Sequence, residues 1–197
     1  MAKLTPKGSA TRNRIVAVAA KLIAKRGVAQ TSIEDVCDAA AVSPSQLYHY
    51  FKNKLALVRA VIDYQTKAVM EIQANYLRRL DSIGALRRWR DHLVGLQRTG
   101  GCKGGCPLGT LSSELAEISP QARHDLASSF EVWEDGIRTG LRAMRDRGDL
   151  RGDPDELALA TLAALQGGLL LTQSRRDPAP LEAALDAVID HIASLSN

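Results

Sequence analysis

Apolar residues recur every three or four positions along almost the whole chain, and no segment shows the two-residue alternation of a β-strand. The first apolar stripe consists of Ile15, Val18, Ala19, Leu22 and Ile23. Gly27 follows it in the position of a helix C-cap, and later helices begin where proline follows serine or aspartate, at Pro120 and Pro154. This pattern predicts an all-α fold of about nine helices.

Two of these helices are short and close together. The first begins at a capping box, formed either by Thr31 with Glu34 or by Ser32 with Asp35, and runs to about residue 40. The second begins with Ser43 as N-cap and ends near residue 51. A turn of about three residues between two short helices is the spacing of a helix-turn-helix.

Charge is distributed unevenly over the 197 residues. Residues 1–60 carry ten Lys and Arg against three Asp and Glu, whereas residues 61–197 carry sixteen against nineteen. The net charge of +4 therefore combines a basic N-terminal segment with a mildly acidic remainder. This asymmetry is typical of a protein whose front end meets a polyanion.

Several classes of protein are disfavoured. The N-terminus lacks the apolar segment of a secretory signal, and no apolar run approaches the ~18–20 residues of a membrane span. We therefore expect a cytoplasmic protein with no membrane partner. Three cysteines are too few for a disulfide scaffold, and no HExxH, GxSxG or GxGxxG motif is present. The sequence predicts no enzyme activity, no cofactor and no metal.

Residues 14–62 resemble the N-terminal domain of the tetracycline-repressor (TetR) family of bacterial transcriptional regulators. The matching residues are Thr31-Ser32-Ile33, Val36, Ala39, Val42-Ser43, Leu47-Tyr48-His49-Tyr50-Phe51 and Lys54. A second segment, Gly105-Cys106-Pro107-Leu108-Gly109 with Glu114, resembles a signature found in a subset of the family. Ala41 departs from the family pattern, which usually has glycine there, and Pro44 and Lys52 are further departures.

The resemblance implies a helix-turn-helix DNA-binding domain over residues 1–54 and a helical effector-binding and dimerisation domain over residues 55–197. It further implies a homodimeric repressor that binds an inverted-repeat operator in double-stranded DNA. A small apolar or amphipathic effector would release the repressor from that operator.

The second helix of a helix-turn-helix lies in the major groove, with its N-terminal residues at base edges. Gln46 can either pair with adenine or close its own capping box. Hydroxyls at helix N-termini and Lys54 are candidates for phosphate contacts. The candidate DNA-binding residues are Thr31, Ser32, Ser43, Ser45, Gln46, Tyr48, His49 and Lys54.

Small residues recur every four positions in the penultimate helix, and the last helix has a wide apolar stripe. The resemblance places the family's four-helix dimer interface here, although packing inside one chain is the alternative. The candidate interface residues are Ala160, Ala164, Leu165, Gly168, Leu185, Val188, Ile189 and Ile192.

An effector cavity needs apolar walls with a few polar groups. Each candidate for such a cavity is also compatible with ordinary core packing. The candidates are Trp89, His92, Leu96, Cys106, Leu108, Leu111, Phe130, Trp133 and Ile137.

Cys102 and Cys106 lie four residues apart in a glycine-rich segment. Cys106 stands at a predicted helix N-terminus, with Arg98 and Lys103 near it in sequence, and both features lower the pKa of a thiol. One alternative is therefore a thiol-based redox-sensing or electrophile-sensing repressor that uses Cys106 with Cys102. Another is a dithiol redox enzyme. The simpler interpretation is that both are small residues at a helix start.

Overall fold

A computed structural model describes residues 5–196, and this part of the chain forms nine α-helices. The helices are α1 (Pro6–Arg26), α2 (Ile33–Ala40), α3 (Pro44–Tyr50), α4 (Lys54–Leu77), α5 (Ile83–Thr99), α6 (Pro107–Leu115), α7 (Pro120–Asp146), α8 (Pro154–Arg175) and α9 (Ala179–Ser194). Residues 5–196 contain no β-strand, and an isolated bridge joins Leu150 to Ser196. The predicted all-α class and number of helices are confirmed.

The described chain divides into two compact units. The first, which we call the head unit, comprises residues 5–68 and 110–129. The second, the body unit, comprises residues 69–109 and 130–196. These units are defined by packing, whereas the domain boundary after residue 54 is what the family resemblance implies, and it stays a prediction.

Two capping boxes fix the starts of α2 and α3 in the head unit. Ser32 Oγ accepts a hydrogen bond from the Asp35 N–H at 3.0 Å, and Asp35 Oδ2 accepts one from the Ser32 N–H at 2.8 Å. The capping box of α2 is therefore formed by Ser32 with Asp35 and not by Thr31 with Glu34. The hydroxyl and N–H of Ser32 also hold the pKa of the Asp35 carboxyl below its ordinary value. Ser43 and Gln46 exchange the equivalent bonds at 3.2 Å, as predicted.

The turn between α2 and α3 contains a strained residue. Ala41, the C-cap of α2, has φ 50° and ψ 54°, which is the left-handed conformation. A Cβ in this conformation costs roughly 1–2 kcal/mol. The Ala41 N–H donates to the Asp38 and Cys37 carbonyls and thereby ends α2. Alanine therefore occupies a position whose geometry favours the glycine of the family pattern.

Close helix packing defines the body unit, where α9 contacts both α8 and α5. A Cβ at Gly168 would lie 2.9 Å from Leu181 Cα, so the glycine allows α8 and α9 to approach. Arg90 of α5 pairs with Glu182 and Asp186 of α9 at 3.2 and 2.8 Å. Apolar contact and charge pairing together hold α5, α8 and α9 in one unit.

Helix α8 corrects the expectation that no segment has the length and hydropathy of a membrane span. Its 22 residues include an 18-residue window with a mean hydropathy of 1.3. Nine of its residues are nevertheless buried within the chain, and core helices satisfy the same criterion. Length and composition alone therefore do not indicate a span.

Replacing Ala41 by glycine is expected to stabilise the protein. Glycine adopts the left-handed conformation without a Cβ clash but loses more backbone freedom on folding, so the net gain is about 0.5–1 kcal/mol. Urea unfolding should show a higher midpoint with an unchanged slope. The control, Ala127→Gly at an exposed site inside α7, should destabilise by about 1 kcal/mol. A lowered midpoint for Ala41→Gly would contradict the strained turn.

Candidate functional site

Helix α3 presents most of its side chains to solvent. Leu47 is its buried residue, whereas Ser45, Gln46, Tyr48 and His49 are exposed, and Tyr48 is 52 % exposed. An aromatic side chain this exposed on a seven-residue helix contributes little to the core of its own chain. The structure therefore brings the predicted base-contacting residues together on one short, accessible helix.

Gln46 combines a capping role with a free amide nitrogen. Its Oε1 accepts from the Ser43 N–H, and its own N–H donates to Ser43 Oγ, both at 3.2 Å. Pairing with adenine through both amide atoms would therefore replace one capping bond, whereas contact through Nε2 alone would not. Ser43 likewise uses its hydroxyl as a cap, so its contribution to a DNA surface is to position α3.

The two hydroxyls before α2 have different surroundings. Ser32 is exposed, and its Oγ also donates to Asp35 Oδ2 at 2.7 Å. Thr31 is only 2 % exposed, and its hydroxyl donates to the Gly27 carbonyl at 2.7 Å. The buried Thr31 side chain thus fixes the turn after α1, and a phosphate contact at this position stays a prediction.

Lys54 opens α4 directly after Asn53, whose side chain caps that helix. It lines a groove of about 340 Å³. The apolar side chains of this groove are Val28, Leu55, Val58, Leu115 and Ile118. The aliphatic part of a lysine can lie along such a surface while its ammonium stays in water. Lys54 has no ion-pair partner within residues 5–196, so its charge is available to a phosphate.

A hydrogen bond that sequence reasoning missed joins α6 to the turn after α1. Glu114 Oε2 accepts from the Val28 N–H at 2.6 Å, across 86 positions of sequence. Gly27 has φ 82°, and a Cβ there would lie 2.9 Å from Glu114 Oε2. Glycine is therefore required both by the backbone conformation and by the carboxylate beside it. No local spacing relates residues 28 and 114, so only the resemblance had drawn attention to Glu114.

The predicted effector residues differ in burial, and eight of the nine belong to the body unit. Leu111 is the exception, since it lies in the head unit. Leu96 is 40 % exposed, and its place in an effector cavity stays a prediction. His92 and Phe130 are half-buried. The buried members are Trp89, Cys106, Leu108, Leu111, Trp133 and Ile137.

Two predicted effector residues of α5 pair with α4. Trp89 Nε1 donates to Gln73 Oε1 at 3.0 Å, and the His92 ring stacks on Tyr76 with centroids 4.4 Å apart. Gln73 is 2 % exposed. Sequence reasoning missed it because a glutamine on a mixed helix face carries no signal that distinguishes a buried partner from a surface residue.

The glycine-rich segment before α6 leaves space for two glutamines of α8. A Cβ at Gly109 would lie 3.2 Å from Gln166 Oε1, and a Cβ at Gly105 would overlap Gln173 Oε1. Gln166 and Gln173 are seven residues apart and therefore share one face of α8. The glycines of this segment thus permit a close contact with α8, which sequence reasoning did not identify.

Cys106 lies at the N-terminal end of α6, and its Sγ accepts from the Gly109 N–H at 3.4 Å. Burial raises the pKa of the Cys106 thiol, against smaller lowering effects of the Gly109 and Leu108 N–H groups and of Gln166. The predicted lowering of this pKa is wrong, because desolvation outweighs the helix N-terminus. Cys102 is also buried, and neither cysteine forms a disulfide.

The predicted interface residues divide between two faces of the α8–α9 pair. Leu165, Gly168, Leu185, Ile189 and Ile192 are buried within the chain, and Ala164 and Val188 are half-buried. The assignment of the buried members to a subunit contact is therefore corrected, because they pack α8 against α9. Ala160 is exposed, and its apolar neighbours on the same face are Leu159, Ala163, Gly167, Leu170 and Leu171.

Two family profiles match the chain. The profile described as "Bacterial regulatory proteins, tetR family" covers residues 15–61, and the profile described as "Transcriptional regulator LmrA/YxaF-like, C-terminal domain" covers residues 82–187. The chain belongs to the TetR family. It is therefore a DNA-binding transcriptional regulator and not an enzyme, which agrees with the exposed α3.

Full-length relatives support the TetR assignment. An uncharacterized HTH-type transcriptional regulator from the lacX 3' region of Lactococcus lactis is 30% identical over 178 residues, covering 89% of this chain and 90% of that protein. The transcriptional repressor DhaR of Mycobacterium sp. GP1 is 26% identical, covering 91% and 90%. The crystal structure of a TetR regulator from Chloroflexus aurantiacus has a TM-score of 0.81 and 26% identity, covering 98% of both chains.

Removing the Glu114 carboxylate is expected to loosen the turn after α1. Glu114→Ala leaves the buried Val28 N–H without an acceptor, which costs about 1–3 kcal/mol, whereas Glu114→Gln keeps an acceptor oxygen and should lose less. Urea unfolding measures the loss, and amide exchange at Val28 should accelerate in the alanine variant. Glu117→Ala, an exposed acidic site nearby, should change neither quantity. Unchanged exchange at Val28 in Glu114→Ala would show that the bond contributes nothing.

Proposed function

We propose that the protein is a homodimeric TetR repressor that binds an inverted-repeat operator and leaves it when a small apolar or amphipathic effector binds the body. The observation that carries this proposal is α3, which is exposed, capped at Ser43 and anchored by Leu47. A helix held in this way can enter the major groove. The name of the relative DhaR as a repressor gives the direction of regulation.

The head offers different side chains for bases and for phosphates. Ser45, Gln46, Tyr48 and His49 are exposed on α3 and are our candidates for base edges. Ser32 and Lys54 stand at the starts of the neighbouring helices α2 and α4, where they are our candidates for phosphates. The net charge of +7 over residues 1–60 favours DNA of any sequence, so selectivity must come from α3.

Substitutions at Lys54 and Gln46 should affect binding differently. Lys54→Ala should weaken binding to every DNA sequence and reduce the salt dependence by about one phosphate contact per head. Gln46→Ala should instead relax preference at one base-pair position in each half-site. Salt-dependent anisotropy titrations with a selected operator and its single-base variants measure both effects.

The matched control is Lys67→Ala, which removes an exposed lysine of α4 that pairs with Asp63 at 2.8 Å. It should leave both operator affinity and the salt slope unchanged. Equal effects of Lys54→Ala and Lys67→Ala would contradict the phosphate role of Lys54. Selection of sites without inverted symmetry would contradict binding by two heads.

The dimer contact in this proposal uses the exposed side of α8. Leu159, Ala163, Gly167 and Leu170 recur three or four residues apart on that side, which places them on one helical face. The face is apolar and is not covered by α9, so a second copy can bury it. Small residues in its centre allow two helices to approach closely.

Gly167→Glu should prevent dimerisation without unfolding the chain. No atom lies within 4 Å of a Cβ built at Gly167, but a partner helix there would bury an unpaired carboxylate at two symmetric positions. Sedimentation should show a monomer that no longer binds the operator tightly. Gly95→Glu, at a helical glycine of α5 with equally free space, should remain dimeric. A Gly167→Glu dimer would place the interface elsewhere.

The effector would bind in the body unit. Its aromatic and apolar residues suit a small ligand. Such a ligand weakens operator binding only to the extent that it prefers the conformation that cannot bind DNA.

The protein would act in the cytoplasm, in contact with the chromosome. We also place it in the subset of the family with the Gly-Cys-Pro-Leu-Gly segment before α6.

The thiol alternative receives no support from the environment of Cys106. A reactive thiol needs a thiolate, and burial raises the pKa of this one. Release by ligand binding is therefore the mechanism that we propose.

A further inference from the structure

Five buried side-chain nitrogen or oxygen atoms of the described chain lack a hydrogen-bond partner, and all five belong to the body unit. They are Arg90 Nε, His92 Nε2, Gln97 Oε1, Trp133 Nε1 and Gln166 Nε2, and the last of these lies beside the Cys106 thiol. Such atoms are few in native proteins, because a polar group that leaves water without a new partner is costly. Their concentration in the body unit suggests that a bound ligand supplies the partners.

The two tryptophans of the chain provide an internal comparison. Both are almost fully buried, Trp89 at 0 % and Trp133 at 2 % exposure. Trp89 Nε1 donates to Gln73 Oε1 at 3.0 Å, whereas Trp133 Nε1 has no acceptor. An indole nitrogen only donates, and a buried indole N–H usually finds an acceptor. Trp133 therefore differs from Trp89 in that its indole N–H has no acceptor, and a bound ligand could supply one.

Apolar residues lie close to Trp133 along α7. Ile137, one turn later, is fully buried, and Leu77 packs against Gly136, with 3.3 Å between a Cβ built there and Leu77 Cδ1. A hydrogen bond made by a buried donor is not weakened by competition with water. The buried indole N–H of Trp133 is thus the kind of polar group that orients a small ligand in an apolar site.

We propose that the Trp133 indole N–H donates a hydrogen bond to the effector, and that the effector is a small, mostly apolar, uncharged molecule with a carbonyl-type oxygen. This inference rests on the proposed function, in which an effector binds the body. His92 Nε2 is another unpartnered atom of the body unit, on a ring that stacks on Tyr76.

Charge in the body unit favours an uncharged ligand. The Arg90 guanidinium lies 3.0 Å from Asp91, 3.2 Å from Glu182 and 2.8 Å from Asp186. The arginine with an unpartnered buried atom is thus already surrounded by carboxylates, and it leaves no net positive charge for a ligand anion. Neutral donors such as the Trp133 N–H match a carbonyl oxygen.

The test uses the full-length protein with ¹⁵N-labelled tryptophan and two probes of similar shape, acetophenone and ethylbenzene. The two indole resonances are assigned with Trp133→Phe and Trp89→Phe. Acetophenone should move the Trp133 indole proton downfield, ethylbenzene should not, and the Trp89 proton should stay in place. Acetophenone should also bind about tenfold more tightly, the ratio that one net hydrogen bond supplies.

The preference for acetophenone should disappear in Trp133→Phe and persist in Trp89→Phe. Replacing Trp133 with 3-benzothienylalanine, which keeps the ring shape but lacks the N–H, should also abolish this preference. This second variant decides the question if Trp133→Phe fails to fold. The proposal is overturned if acetophenone does not bind, if both probes bind equally, or if the preference survives at either modified residue 133.

Operator binding separates this inference from the proposed function. If the wild-type protein binds an inverted repeat and acetophenone shows no dependence on Trp133, the repressor proposal stands and the Trp133 inference fails. If no specific operator can be selected, the repressor proposal fails, while the probe titrations still decide the role of the Trp133 N–H.

Discussion

The reciprocal hydrogen bonds at the starts of α2 and α3 are the constraint on which the DNA-reading surface depends. The Ser32–Asp35 and Ser43–Gln46 boxes fix where each helix begins, and the left-handed Ala41 sets the turn between them. Leu47 then anchors α3 from its buried side. With its start and one face fixed, the short helix leaves its remaining side chains free to face solvent.

Local interactions were predictable from the sequence because the partners lie within one helical turn. The caps at Ser32 and Ser43 and their partners Asp35 and Gln46 follow from residue type and spacing alone. The Glu114–Val28 bond, the burial of Thr31 and the contact of Gly168 with Leu181 join positions that no local pattern relates. The pKa of Cys106 was predicted in the wrong direction because sequence shows neighbouring charges but not burial.

Helix α8 illustrates how one pattern can serve two contacts. Small residues every four positions correctly indicated close helix packing, but Gly168 meets Leu181 of the same chain, while the adjacent Gly167 faces open space. A shift of one residue on a helix turns a side chain by about 100°, so periodicity alone could not assign the faces. The two units also differ in hydrogen bonding, because the buried side-chain nitrogen and oxygen atoms without a partner in the described chain all lie in the body unit. Buried polar atoms without hydrogen-bond partners are expected where the residues are determined by function rather than by stability.

In the proposed function, α3 from each of two copies reads the major groove. Chemical interference mapping on an operator recovered by selection from genomic DNA tests it most directly, because guanine N7 methylation blocks the major groove and adenine N3 methylation the minor groove. Binding by two copies predicts two major-groove patches that are related by a two-fold axis and lie on the same side of the duplex. A single patch, or interference confined to the minor groove, would contradict it.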